Sequence, residues 1–154
     1  MLEWGAKRDG LVPILLDGHQ VALVDPEFWR EGAELQVAGQ TWLFGRDGRD
    51  RVARLAGSDV PVLRAAKTGF WGSSWTVEGD GVRYEVKPQG FTGRTHVVLR
   101  DGRQVGSGDP ATFWSGRATL DLDDSVPPAH QLFLLWVSHI IRRRAAAAAA
   151  SSSS

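Results

Sequence analysis

The stretch "QLFLLWVSHII", residues 131–141, decides how this chain folds. Leu132 to Ile141 is apolar almost all round, with only Ser138 and His139 interrupting it. A helix without a polar face is either buried on every side or spans a membrane. A span needs about 20 apolar residues. This run has ten before Arg142, Arg143 and Arg144 end it. The reading is therefore a buried helix and no transmembrane span. Upstream, "DDSVPP", residues 123–128, supplies Asp and Ser as cap candidates and Pro for the first turn. The three Arg suit a helix C-terminus. The helix is expected over about 127–144. Residues 145–154, six Ala and four Ser, form a low-complexity tail. Its Ala run extends the helix by a turn or two.

A helix buried on all sides needs a shell, and residues 11–123 read as one. "LVPILLDGHQVALV" is two apolar runs around Asp17-Gly18, a strong hairpin signal. Further turns fall at Ala38-Gly39, Asp47-Gly48, Gly57-Ser58-Asp59, Gly79-Asp80-Gly81, Asp101-Gly102 and Gly108-Asp109-Pro110. Between turns the pattern alternates. Val82, Tyr84 and Val86 share one face, and Arg83, Glu85 and Lys87 share the other. Leu120 and Leu122 likewise oppose Asp121 and Asp123. About twelve short strands follow one another with no helix among them, as in a sandwich or barrel. Such a barrel is too wide for its own side chains to fill. The expectation is a mainly β fold with one C-terminal helix: an antiparallel closed barrel of about twelve strands around the buried helix. Residues 1–144 then form a single domain.

Two stretches repeat at an offset of 21 residues: "GFWGSSWTVEGDG", residues 69–81, and "GFTGRTHVVLRDG", residues 90–102. The shared residues are glycines, one Phe, one Val and a closing Asp-Gly, which are scaffold residues. The repeat reads as two successive loop–strand–turn units. Function, if present, lies in the differences: Trp71 and Trp75 in one unit, Arg94 and His96 in the other.

The 154-residue chain has no Cys, so disulfides, thiol nucleophiles and thiolate metal sites are excluded. The N-terminus has no continuous apolar h-region, and the expected location is cytoplasmic or at the membrane periphery. Zero formal net charge speaks against nucleic acid as a partner. Residues 46–103 nevertheless carry eleven basic and seven acidic side chains, so an anionic partner would meet this middle segment.

This plan, many antiparallel strands and one hydrophobic C-terminal helix, resembles the tubby C-terminal-like superfamily. That group includes tubby proteins, phospholipid scramblases and LURP-one-related proteins. The most specific local match is "LDLD", residues 120–123, which is similar to a scramblase phrase placed just before the helix. The "GFxG" units resemble bacterial LURP-one-related sequences. The resemblance implies a closed barrel threaded by its last helix, and binding at membranes or phosphoinositides. The scramblase Pro-rich region, cysteine cluster and acidic loop have no counterpart here, the last position reading "ATFWSGRAT", residues 111–119. Calcium dependence is therefore not implied.

No catalytic constellation is visible. The four His lack metal-ligand spacing, no Gly-x-Ser-x-Gly elbow occurs, and no Gly-rich loop opens a helix. The chain reads as a non-catalytic binding module without metal or cofactor, its partner an anionic phospholipid or membrane surface. The ligand-binding candidates are Arg83, Lys87 and Arg94, which suit phosphate, with Trp71 and Trp75. The alternatives are a small-ligand binder or enzyme with a pocket at the barrel mouth, where Trp71, Trp75 or Trp114 stacks a ligand, and a protein-interaction domain.

Overall fold

In the computed structural model, residues 1–6, 8–24, 32–68, 74–89, 95–108 and 119–152 are described. Twelve strands precede one helix. A three-stranded sheet comprises β1 (Leu2–Trp4), β2 (Val12–Leu16) and β3 (His19–Val24). A nine-stranded sheet follows as a meander. Its strands are β4 (Gly32–Val37), β5 (Gln40–Asp47), β6 (Asp50–Leu55), β7 (Leu63–Thr68), β8 (Ser74–Gly79), β9 (Val82–Gln89), β10 (Thr95–Arg100), β11 (Arg103–Gly108) and β12 (Asp121–Leu122). Every paired strand is antiparallel to its neighbour.

The hairpins follow from local chemistry. At Asp17-Gly18, Ala38-Gly39, Asp80-Gly81 and Asp101-Gly102 both turn residues have positive φ. That pair of conformations matches the right-handed twist of the flanking strands and favours Asp and Gly. The β5–β6 turn falls one residue later than its sequence signal, with Asp47 paired to Asp50 around Gly48-Arg49. The proposed turn at Gly108-Asp109-Pro110 runs outside the described residues.

The helix α1 spans Pro128–Ser152, so it continues beyond residue 144 and through the Ala run. Leu132 to Val137 are all 0–1% exposed. One continuous apolar cluster joins this helix to both sheets, from Leu2, Ile14 and Val24 to Phe44, Trp75, Val86 and Leu122. Phe44 on β5 meets Phe133 edge-on at 5.1 Å and Trp136 at 5.8 Å. Ser138 returns its hydroxyl proton to the Leu134 carbonyl at 2.8 Å, which lets a polar side chain lie on an apolar helix. Among the described residues no helix is long and apolar enough to cross a membrane.

The closed twelve-stranded barrel is not what forms. Both sheets are open, and neither closes on itself. On one side their edges meet at a single bridge, where Leu2 N–H donates to the Leu120 carbonyl at 2.6 Å and Leu120 N–H returns the bond at 3.0 Å. On the other side, β3 pairs with β2 and β4 pairs with β5, and no ladder joins β3 to β4. The physical reason is edge length and stagger. With three and two residues, β1 and β12 pair with β2 and β11, and their edges meet each other at one bridge only. Closure also needs a consistent shear around the whole ring, and nothing local imposes it.

Truncating a fully buried α1 side chain leaves a cavity in the apolar cluster that joins the helix to both sheets. Leu134→Ala should lower the unfolding free energy by about 3 kcal/mol, read by denaturant unfolding with one transition for the whole chain. A loss under about 1 kcal/mol would contradict the packing described.

Candidate functional site

The sheet separates the residues proposed for ligand binding. Alternation along β9 turns Tyr84 and Val86 inward and leaves Arg83 and Lys87 exposed, as the sequence pattern requires. Trp75 lies on β8 opposite Val86, so it faces inward and is 1% exposed. The Arg51 guanidinium stands 6.0 Å from the centre of its ring. A buried ring cannot stack a ligand at an open mouth. Trp71, Arg94 and Trp114 lie outside the described residues.

Both described cations have carboxylate neighbours. Arg83 Nε is 3.5 Å from Glu78 Oε1, its cross-strand partner on β8. Lys87 Nζ is 3.0 Å from Glu85 Oε2, two residues away on the same face. Nearby, Arg64 bridges Asp47 at 2.8 Å and Asp50 at 2.9 Å. A shallow hollow of about 230 Å³ lies between Arg64 and Arg83, with Thr68 and Thr76 along it. Exposed pairs of this kind contribute little stability. They do lower the positive field that an anion would meet.

A second constellation was not legible in the sequence. His130, in the first turn of α1, is 3% exposed. Its Nδ1 is 2.9 Å from Tyr84 Oη, and its Nε2 is 3.0 Å from Asp80 Oδ2. An ionised carboxylate only accepts, so Nε2–H donates to Asp80 and Nδ1 accepts the Tyr84 hydroxyl proton. The three residues come from α1, β9 and the β8–β9 turn, 46 and 50 positions apart in sequence. No spacing rule links residues so far apart. The one local hint is the Asp80-Gly81 turn, which places Asp80 where β8 and β9 end.

Hydroxyl, imidazole and carboxylate in line resemble an orienter–base–nucleophile chain. Here Tyr84 is 0% exposed, so no substrate reaches its oxygen in this conformation. Burial pushes the Tyr84 hydroxyl above its ordinary pKa, with Arg100 opposing the shift. The arrangement pins the start of α1 to the β8–β9 hairpin. Arg100 continues it by donating to Ser125 Oγ at 3.0 Å. Ser125 N–H in turn donates to Asp123 Oδ1 at 2.9 Å, and this bond with that from the Ser125 hydroxyl holds the Asp123 carboxyl below its usual range. Asp123 thus shapes the strand-to-helix turn. Among the described residues no group of three His, Asp or Glu side chains could hold a metal ion.

No family model, characterised protein sequence or solved structure matches this chain.

Tyr84 is the only Tyr in the chain, so its ionisation can be read directly by phenolate absorbance. A folded pKa above the unfolded value means the native state keeps the proton longer. The Tyr84 contribution is therefore complete below about pH 10 and is lost as pH rises through the folded pKa. Phenolate should appear together with unfolding, at a pH above that of free tyrosine. Tyr84→Phe should cost about 1–3 kcal/mol at neutral pH, because Nδ1 of His130 loses its partner, and should flatten the stability loss above pH 10. Ionisation in the folded protein at an ordinary pKa would contradict the buried pairing.

Proposed function

We propose that this protein is a non-catalytic binding module that acts through its outer surface, with anionic phospholipid headgroups at a membrane surface as its ligand. The observation that carries the reading is the filled interior. Leu132 to Val137, Trp75 and Tyr84 occupy the space a ligand would need, so recognition falls to the outside of the sheets. The excess of basic residues between positions 46 and 103 supports an anionic ligand. So does the outward setting of Arg83 and Lys87 on β9. The resemblance to tubby-like and scramblase-like proteins adds to this on the level of sequence plan, although the open edges of both sheets depart from that plan. The neighbouring Glu78 and Glu85 make the expected attraction modest and dependent on salt.

The test is co-sedimentation with vesicles of phosphatidylcholine alone and with added phosphatidylserine. Pelleting should rise with the anionic lipid and fall as salt is added. Replacing both Arg83 and Lys87 with Ala should weaken it by up to about thirtyfold, since each cation near an anionic surface contributes on the order of 1 kcal/mol. Equal, negligible pelleting with both vesicles would remove the lipid from this reading.

A further inference from the structure

Gly45 stands in the middle of β5 with no visible conformational need for glycine. Its φ is not in the left-handed region. The β5–β6 register runs through it without a bulge, pairing Gly45 with Val52. A Cβ built there would meet nothing within 4 Å. On β4 its partner is Gly32, so two adjacent strands lack side chains at the same level. Glycine within a strand weakens it, and otherwise marks a bend or a place where something approaches the backbone closely.

A hollow of about 310 Å³ opens over this position on the outer face. Its lining is largely polar, with an apolar patch where Leu43 lies beside Gly45 and where Val52 is only 8% exposed although it points away from the core. The segment after β6 forms one wall through Asp59 and Pro61. That segment is held in place by Ala56 N–H to Thr41 carbonyl at 2.9 Å, Ser58 N–H to Leu55 carbonyl at 3.1 Å and Val62 N–H to Ala53 carbonyl at 2.8 Å. The rim carries Arg46, Arg54 and Asp59, all exposed, and Arg46 Nε donates to the Gly48 carbonyl at 3.0 Å. Among the described residues the side chains of Arg54 and Asp59 have no ion-pair or hydrogen-bond partner, and they do not pair with each other. Asp47, also on the rim, is committed to Arg64.

We propose that this hollow is a binding site for a compact zwitterion with a short apolar body, the chemistry of an apolar α-amino acid. The carboxylate pairs with Arg54, the ammonium with Asp59, and the apolar body lies on Leu43, Val52 and the bare backbone at Gly45. The volume of about 310 Å³ sits at the lower end of small-molecule pockets, which suits a compact ligand.

The experiment is an NMR titration of the ¹⁵N-labelled full chain with L-leucine, following the amides of Gly45, Val52, Arg54 and Asp59. Saturable shifts are expected. 4-Methylpentanoate, which lacks the ammonium, and isopentylamine, which lacks the carboxylate, should bind at least tenfold more weakly. Gly45→Val should fold and lose the response, because its side chain fills the floor. Arg54→Gln, on an exposed side chain, should weaken leucine at least tenfold. Absent or non-saturating shifts with leucine would overturn the proposal, as would an equal response to either single-charge compound. Unchanged affinity in Gly45→Val would also overturn it. So would a Gly45→Val chain that fails to fold, since glycine would then serve the sheet itself.

Discussion

Everything else in this structure depends on a helix that has no polar side to offer water. From His130 to Ser138 every residue is buried. Exposing even part of that surface would forfeit about 25 cal/mol for each Å² of apolar area. The strands are arranged to prevent this. Inward positions from both sheets converge on α1, from Ile14 and Val24 through Phe44 and Trp75 to Val98 and Leu120. Several polar groups in that interior have partners close by, whereas Gln131 Oε1 has none among the described residues. Ser138 bonds its own helix, Gln131 donates to the Val126 carbonyl at 2.9 Å, and His130 is held between Tyr84 and Asp80.

Much of this is legible along the chain because the signals are local. Asp17-Gly18, Asp80-Gly81 and Asp101-Gly102 turn where their chemistry says they should. Alternation sets Tyr84 inward and Arg83 outward without any knowledge of the fold. The repeated stretches read correctly as scaffold where they are described. Val77 and Val98 are both buried strand residues, and each unit ends in a two-residue Asp-Gly turn. Closure of the shell was not legible, because it depends on shear summed over many ladders. Nor was the meeting of His130 with Tyr84 and Asp80, which is a product of where α1 enters. For the proposed ligand-binding residues the split is similar. The outward setting of Arg83 and Lys87 is a matter of period, whereas Glu78 became a neighbour of Arg83 only through strand register.

The outer surface shows two kinds of charge. Arg64, Arg83 and Lys87 stand among carboxylates that hold or shadow them. Arg54 and Asp59 stand on one rim, each without such a neighbour among the described residues. The first arrangement resembles an ordinary solvated sheet face, whose field is weak at a distance. The second leaves two opposite charges without partners beside one hollow, the arrangement on which the proposed zwitterion site rests.

The missing ladder between β3 and β4 bears on how the molecule is assembled. The helix is the last described element to leave the ribosome, and it ends at the centre. Had a continuous ring of ladders closed first, the helix would have had to thread through it end-on. A shell with one unlaced side and a single two-bond clasp at Leu2 and Leu120 removes that obstacle. The strands can curl around the helix from the flank, like a coat drawn round a shoulder, with the clasp fastened at any point in the sequence of events. No closed ring of ladders surrounds the helix, so its burial requires no end-on threading through one.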